Sequence, residues 1–383
     1  MIYFDNAATS YPKPHSVYKA IERALKRYGA NPGRGGYKMS LDTSQKVYAA
    51  REAAAKFFGS GYAESVAFTQ NCTYAINFVL KGLLKPGDHV VISDLEHNAV
   101  ARPVYYMSKY NGVEYTVAQN ESLWGDDDFE KKCVESFKKS IRKNTKLFAV
   151  VHASNVFGIK QPIKKLGELA KDNGIFMMSD AAQTAGTEDI DIKRDNIDFL
   201  CVPGHKGLYG AAGIGALITN KGNELTSIIQ GGSGNRSLMY EQPDFMPDKF
   251  ESGTINVSGA IALGEGITFV SENVKMIREK EYAIIKYIYK KLKEDPEIVL
   301  YTGCPEEETS VPILSFNIKG QSGEKTSSML GNLGVATRGG YHCAALAHKK
   351  YGTDKSGTCR ISPGAFNNFD EAERFIWKLK KIY

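Results

Sequence analysis

The residues with the clearest chemical potential are a lysine and an aspartate that follow two apolar runs. Lys206 stands in a glycine-rich segment just after the predicted strand 197–202, and Asp180 directly follows the predicted strand 175–179. Open α/β sheets bind their ligands at the carboxyl ends of parallel strands, so we expect both side chains at one sheet edge. We also expect one strand-helix-strand passage to connect them.

Each of these residues has an ordinary explanation when it is taken alone. A lysine in a glycine-rich turn is usually solvated, and an acid at a strand end often caps a helix. As a pair, however, they meet the needs of pyridoxal phosphate (PLP). The Lys206 amine would form a Schiff base with the aldehyde, and the Asp180 carboxylate would keep the pyridine nitrogen protonated, so that the ring withdraws electrons.

A phosphate site is predicted where another strand, 65–69, leads into a helix at Cys72 and Thr73. Backbone N–H groups at a helix N-terminus, together with the Thr73 hydroxyl, suit an anion. The alternative is an ordinary helix cap by Asn71 or Thr73. The position after a strand favours the functional interpretation.

Two further polar residues follow predicted strands. His97 comes after strand 89–93, and Asn155 comes after strand 146–152. An imidazole could stack on the cofactor ring and move protons, whereas Asn155 and Gln183 could hydrogen-bond the phenolic oxygen. The convergence of several strand ends on one ligand favours these roles over purely structural ones.

The C-terminal third contributes a thiol and two arginines. Cys343 lies in a glycine-rich segment next to His342 and near Arg338, and we expect it to be exposed. Neighbouring positive charge favours the thiolate, which is the nucleophilic form of cysteine. Arg360, on the predicted strand 358–362, could bind a substrate carboxylate with two hydrogen bonds, and a solvent ion pair is the alternative.

Short apolar runs alternate with helical patterns through the first two-thirds of the chain, which predicts an α/β fold. The predicted strands are 65–69, 89–93, 113–117, 146–152, 175–179, 197–202 and 213–218. The predicted helices between them are 41–58, 73–83, 129–140 and 163–172. This alternation indicates a mostly parallel, seven-stranded sheet covered on both faces.

The final third has a different, α+β pattern. We predict helices at 255–270, 274–293 and 370–382, and strands at 311–318 and 358–362. A glycine- and proline-rich stretch at 231–247 precedes this change. We therefore predict a large domain over 15–250 and a smaller one formed by 1–14 and 251–383.

Composition narrows the class of protein. The chain has 383 residues, 42% hydrophobic and 24% charged, with a net charge of +6. The positive residues are dispersed, which argues against nucleic-acid binding, and no apolar run is long enough for a membrane span. The six cysteines form no C-x-x-C pair, which argues against a disulfide framework or a structural metal site. The N-terminus lacks a signal-peptide pattern, so we expect a cytoplasmic enzyme.

Together these motifs resemble the class-V aminotransferase superfamily of fold-type I PLP enzymes. Within it the chain resembles the cysteine desulfurase and selenocysteine lyase group, over nearly its whole length. The matching segments are 3–9, 34–36, 72–73, 96–97, 154–158, 180–183, 204–206, 250–256 and 338–343, together with Arg360. The resemblance implies a large PLP-binding domain with a smaller C-terminal domain.

The resemblance also implies a role for each matching residue. Lys206 would be the Schiff-base lysine, Asp180 would pair with the pyridine nitrogen, and His97 would stack on the ring. The other implied contacts are the phosphate with Thr73, the Cys72 backbone and His205, the phenolic oxygen with Gln183, and the substrate with Asn155, Arg338 and Arg360.

The implied reaction converts L-cysteine to L-alanine. Freed Lys206 would take the α-proton, and the Cys343 thiolate would attack the substrate sulfur and become a persulfide. A reductant or an acceptor protein would then remove the sulfur. Thr254 would reach the phosphate in the partner subunit, which implies a homodimer with shared active sites. The Cys343 loop reads as short, with a tight Gly-Gly turn, so an acceptor would have to enter the cleft.

The chain departs from the group's usual pattern at several positions. Pro203 replaces a phosphate-binding serine, and Gly207 is an extra residue. Asn98, Tyr341 and Tyr74 replace two histidines and an acid. The alternatives are therefore a selenocysteine lyase or another class-V aminotransferase or lyase. An alternative of another class, a scaffold that only binds a partner, is disfavoured by the intact lysine, aspartate and histidine set.

Overall fold

The computed structural model describes residues 1–33, 35–123 and 128–383. The strands are β1 Ile2–Tyr3, β2 Val66–Thr69, β3 His89–Ser93, β4 Glu114–Ala118, β5 Thr145–Val151, β6 Phe176–Asp180, β7 Phe199–Pro203, β8 Gly215–Thr219, β9 Ile298–Leu300, β10 Leu314–Ile318, β11 Val335–Ala336, β12 Arg338–Gly340 and β13 Thr358–Ile361. The α-helices are α1 His15–Arg27, α2 Lys38–Phe57, α3 Cys72–Leu83, α4 Asn98–Tyr110, α5 Phe129–Ser140, α6 Ile163–Asp172, α7 Val257–Lys293, α8 Gly323–Asn332, α9 Ala345–Lys350 and α10 Phe369–Leu379.

The main sheet has seven strands in the order β2-β8-β7-β6-β5-β3-β4. Only β8 runs antiparallel to its neighbours, so the other six strands end at the same edge. The strands are mostly apolar, and separate clusters of buried side chains cover the two faces. The predicted α/β class and the seven-stranded, mostly parallel sheet are confirmed.

The connection between Asp180 and Lys206 differs from the prediction. Residues 181–198 form turns between β6 and β7, with no helix. The strands are nevertheless parallel neighbours, so both side chains still follow strands at the same sheet edge.

A smaller antiparallel sheet, in the order β12-β13-β10-β9, packs with α10 and the C-terminal half of α7 around its own core. The N-terminal strand β1 pairs with β11, which brings residues 2–3 next to this part of the chain. The N-terminal half of α7 packs on α1 instead. The domain boundaries near residues 14 and 250 stay a prediction.

The prediction of two helices at 255–270 and 274–293 is wrong, because α7 is a single helix of 37 residues. The polar residues between the predicted helices bond back to the helix itself. Ser271 donates to the carbonyl of Ile267, and Asn273 donates to the carbonyl of Phe269. Such bonds accommodate polar side chains inside a helix.

The sequence pattern also missed four helices. One of them is α4, in which Pro103 lies within the helix and removes one backbone donor. The others missed are α1, α8 and the six-residue α9. Within the described ranges, no helix combines the length and apolar character that crossing a bilayer requires.

Candidate active site

The predicted site residues collect at the edge where the parallel strands of the main sheet end. Each group follows its own strand: Cys72 and Thr73 come after β2, His97 after β3, Asn155 after β5, Asp180 at the end of β6, and His205 and Lys206 after β7. The shared direction of these strands therefore puts residues that are distant in sequence around one space. Arg34, from the matching segment 34–36, lies outside the described residues.

Asp180 and Lys206 form the centre of this space. Asp180 is buried, and its Oδ1 accepts hydrogen bonds from Ala182 N at 3.0 Å and from Cys72 Sγ at 3.4 Å. No described residue donates to its Oδ2. Burial lowers the pKa of the Lys206 amine to about 8, although the charge of Asp180 opposes this shift. Near neutral pH an appreciable fraction of the amine is therefore uncharged and nucleophilic.

The N-terminus of α3 offers unpaired donors at one end of this space. Asn71 caps the helix by accepting from Tyr74 N, while the N–H groups of Cys72 and Thr73 donate to no described residue. A Cβ at Gly215 would lie 2.9 Å from Cys72 N, so glycine lets β8 pass close to this turn. Free N–H groups at a helix N-terminus suit a phosphate.

The two histidines near Lys206 are neutral at neutral pH. Burial is the main cause that lowers the pKa of His97, and its Nδ1 accepts a hydrogen bond from Ala99 N at 3.0 Å. Neutral His97 therefore carries its proton on Nε2. Burial, with the charges of Lys206 and Lys13, lowers the pKa of His205 to about 4. A neutral His205 can donate one N–H, whereas Pro203 beside it at the end of β7 offers no hydroxyl.

Arg360 and Asn155 meet on the side of the smaller sheet. Arg360 donates to the backbone oxygen of Asn155 at 2.7 Å and to the Asp5 carboxylate at 2.8 Å. Its guanidinium is buried, so a solvent ion pair is not the explanation for this residue. Arg360 Nε and Asn155 Oδ1 are buried without a hydrogen-bond partner among the described residues. Such unpaired polar atoms indicate a missing ligand or water.

Cys343 is exposed and lies beside this pair. Its backbone oxygen accepts from Asn98 N at 2.7 Å, and the preceding carbonyl, of His342, accepts from Asn155 Nδ2 at 2.7 Å. Burial lowers the pKa of His342 to about 2, so this ring supplies no positive charge to the thiol, contrary to our expectation. Arg338 remains the nearby cation, and its charge also reaches His97.

The turn that carries Cys343 differs from the predicted Gly-Gly turn. Gly339 and Gly340 belong to strand β12, and the chain turns instead at His342 and Cys343. Both turn residues have positive φ, 48° and 56° respectively, which is strained for side-chain-bearing residues. This conformation needs support from the residues packed around it.

Gln183 and Thr254 lie in different cavities. Gln183 and Lys206 line a small cavity of about 50 Å³, where Gln183 Nε2 donates one proton to the Ala7 carbonyl and can donate a second. Thr254 lines an exposed cavity of about 300 Å³ with Gln70 and Tyr74. Within a single chain, these positions do not bring Thr254 into the cavity of Lys206.

Two contributors to the site were not assigned these roles from the sequence. Asp5 is the counter-ion of Arg360, and the Cys72 thiol, not only its backbone, bonds Asp180. Both contacts join residues that are far apart in the chain. No periodicity or spacing signals such pairs, although Asp5 does belong to a segment that matches the family.

Comparisons with known proteins agree with this geometry. The family model Aminotransferase class-V matches residues 2–375. A probable cysteine desulfurase of Pyrococcus abyssi is 33% identical, over 100% of this chain and 94% of the relative. A cysteine desulfurase of Haloferax volcanii is 31% identical, over 98% and 88% respectively. The solved apo structure of a cysteine desulfurase from Thermococcus onnurineus has a TM-score of 0.89 at 30% identity, over 100% and 94% of the two chains.

Proposed function

The chain belongs to the class-V aminotransferase family, and on that basis we propose that it is a PLP-dependent cysteine desulfurase. The observation that carries the proposal is a buried amine and carboxylate at one sheet edge, together with an exposed cysteine on a turn whose carbonyls accept from Asn98 and Asn155 at the same edge. The products would be L-alanine and a persulfide on Cys343. The names of the relatives support L-cysteine as the substrate.

The residues at this edge fit PLP. When bound, PLP supplies an electron sink for a carbanion next to the substrate nitrogen. Lys206 would hold the cofactor through Nζ, and Oδ2 of Asp180 would accept a hydrogen bond from the protonated pyridine nitrogen. The remaining proposed contacts are His97 against the ring, Gln183 and Asn155 toward the phenolic oxygen, and the N–H groups of Cys72 and Thr73, with His205, on the phosphate.

The substrate carboxylate would be oriented by N–H donors. Arg360 Nε, which has no partner among the described residues, and the second N–H of Asn155 Nδ2 are suited to the cysteine carboxylate, with Arg338 adding positive charge nearby. Lys206 Nζ is suited to take the Cα proton, because its lowered pKa makes the neutral amine available. Buried Arg360 would gain a second anionic partner besides Asp5.

Cys343 would take the sulfur. Its Sγ attacks the substrate sulfur, an S–S bond forms, and the bond between that sulfur and the substrate Cβ breaks with its electrons moving to carbon. Protonation at Cβ, and return of a proton from Lys206 to Cα, complete alanine, and the sulfur stays on Cys343 as a persulfide. A thiol reductant or a sulfur-acceptor protein then regenerates Cys343 and carries the sulfur away.

The proposal includes a homodimer with shared active sites. Thr254 is exposed and lies apart from Lys206 in its own chain, which is compatible with a role at the partner's phosphate. Six free thiols suit a reducing compartment, and we propose the cytoplasm as the location.

The test is product analysis with L-cysteine and a thiol reductant, scoring sulfide and alanine together. We expect equal amounts from the wild-type protein, none from Cys343→Ala, and normal amounts from the control Cys304→Ala, whose thiol is half-buried and free. Lys206→Ala should lack the visible absorbance of bound cofactor. A colourless wild-type protein that forms no alanine would refute the proposal.

The same variants address the second candidate, a selenocysteine lyase. The neutral state of His342 is the reason to retain this candidate. A neutral His342 supplies no positive charge to stabilise the Cys343 thiolate, which is the form that would attack sulfur. If Cys343→Ala still cleaves selenocysteine while cysteine cleavage is lost, the lyase becomes the better assignment. Loss of both activities supports the desulfurase.

A further inference from the structure

A buried ion pair lies behind the Cys343 turn. Lys350 Nζ, at the end of α9, is 2.8 Å from Asp94 Oδ2, in the connection between β3 and α4. Their side chains are only 8% and 6% exposed. The same Asp94 oxygen accepts from Asn120 N at 2.9 Å, and Lys350 also donates to the Asn120 carbonyl. Both charges are thus paired and hydrogen-bonded, as buried ions need to be.

The two elements that this pair joins are those that carry Cys343 and His97. Cys343 lies just before α9, and His97 lies three positions after Asp94. Between them, Asn98 N donates to the Cys343 carbonyl at 2.7 Å, and Ala344 and Ala347 pack in one apolar cluster with Leu95. The ion pair is therefore a second contact between the segments that carry Cys343 and His97, at the C-terminal end of α9.

The local structure around Cys343 cannot hold itself in place. Helix α9 has six residues, too few to be stable without tertiary contacts. The residues at the turn, His342 and Cys343, have positive φ and return to relaxed conformations unless the surroundings prevent it. Lys350 is about 10 Å along the helix from Cys343, so it acts on the thiol only through α9.

We propose that the Lys350–Asp94 ion pair positions Cys343 beside His97, and that sulfur transfer depends on it while cofactor and substrate binding do not. Lys350 and Asp94 are positioning residues, and this role rests on the proposed function. Attack on the substrate sulfur needs close alignment, and a displacement of about 1 Å can slow such a step about a hundredfold.

The experiment compares Lys350→Met and Asp94→Asn with Lys349→Met, which changes the exposed neighbouring lysine. We expect kcat for alanine formation to fall at least about tenfold in the first two, with KM within about threefold of wild type. The visible absorbance of bound cofactor should be unchanged, which a general loss of folding would not allow. Lys349→Met should behave as wild type.

A second readout does not depend on activity. Amide hydrogen exchange of Asn98 and of residues 344–351 should accelerate in Lys350→Met and Asp94→Asn but not in Lys349→Met. If the wild-type protein makes no alanine from L-cysteine, the proposed function fails. Amide hydrogen exchange still reports whether the Lys350–Asp94 ion pair holds α9 in place. Unchanged exchange, or a kcat within about twofold of wild type in both variants, would overturn the positioning role. If Lys350→Met does not fold, Asp94→Asn decides, because its amide oxygen still accepts from Asn120 N.

Discussion

Buried ionisable groups surround the amine of Lys206, and most of them are neutral near pH 7. Glu281, on α7, lines the same small cavity as Lys206 and Gln183. Its Oε1 accepts from the Tyr209 hydroxyl at 3.4 Å, and burial raises its pKa to about 8. A protonated carboxylic acid behind the lysine avoids a second negative charge in competition with Asp180.

This state of Glu281 predicts a pH-dependent stability. Because its folded pKa of about 8 exceeds the unfolded value, the stability it contributes is complete at low pH and is lost as pH rises toward 8. Glu281→Gln stays neutral and keeps the Tyr209 bond. Relative to wild type, it should gain stability with rising pH, by a few kcal/mol in order of magnitude between about pH 5 and about pH 8.

The measurement is the Tm of both proteins across that pH range. Glu265→Gln, at an exposed position on the same helix, is the control and should shift Tm equally at every pH. A difference between Glu281→Gln and wild type that does not change with pH would show that Glu281 is ionised in the folded protein.

At this scale the sequence predicts residue types but not their charge states. Lys206 and Asp180 could be found because each follows an apolar strand, and strand direction then brings them together. The neutral state of His342 could not be found, since it follows from burial of a ring whose Nε2 lies 3.2 Å from the Thr358 hydroxyl. Burial of one imidazole depends on packing by segments that are distant in the chain.

At the scale of elements, hydrophobic periodicity predicted the strands well and the connections less well. Strands β3, β5 and β7 of the main sheet are mostly apolar and buried, which separates them clearly from their polar connections. We expected a helix in the connection 181–198, because parallel strands are usually joined by a helical crossover. Turns fill it instead, and a short path suffices because β6 and β7 are adjacent.

The close approach of α7 to the Lys206 loop gives a prediction for one glycine. A Cβ at Gly266 would lie 2.1 Å from the carbonyl oxygen of Leu208 and 2.9 Å from Gly210 N. Gly266→Ala must therefore push the helix away from the segment that follows Lys206. We expect a loss of about 1–3 kcal/mol in stability, typical of overpacking, together with weaker cofactor retention.

The Tm and the cofactor absorbance after dialysis measure these effects. Gly331→Ala is the matched control, because a Cβ added to this glycine of α8 would meet no atom of the described residues within 4 Å. There alanine should leave the protein unchanged or slightly more stable, since it favours helix. Equal Tm values for the two variants would mean that α7 does not press on the loop.

At the scale of the whole molecule, one exposed apolar segment is unexplained by the single chain. Leu238 and Tyr240 are 99% and 107% exposed, and Met239 between them is half-exposed. Consecutive exposed apolar side chains indicate an interaction surface. They lie in the glycine-rich stretch that precedes Thr254, the residue we propose to act in the partner subunit.

Leu238→Arg should therefore weaken self-association of the protein. Burial of one leucine contributes roughly 1.5–3 kcal/mol, and twofold symmetry makes every substitution count twice in a dimer. We expect the dimer dissociation constant, measured by sedimentation equilibrium, to rise at least about tenfold. Met276→Arg, at an exposed position on α7, is the control and should leave it unchanged. A wild-type protein that is monomeric at every concentration would contradict the dimer, whereas an intact Leu238→Arg dimer would place its interface elsewhere.

Because we propose that Thr254 acts across the dimer interface, loss of dimers should also weaken cofactor retention. Dilution of the wild-type protein should reproduce this loss.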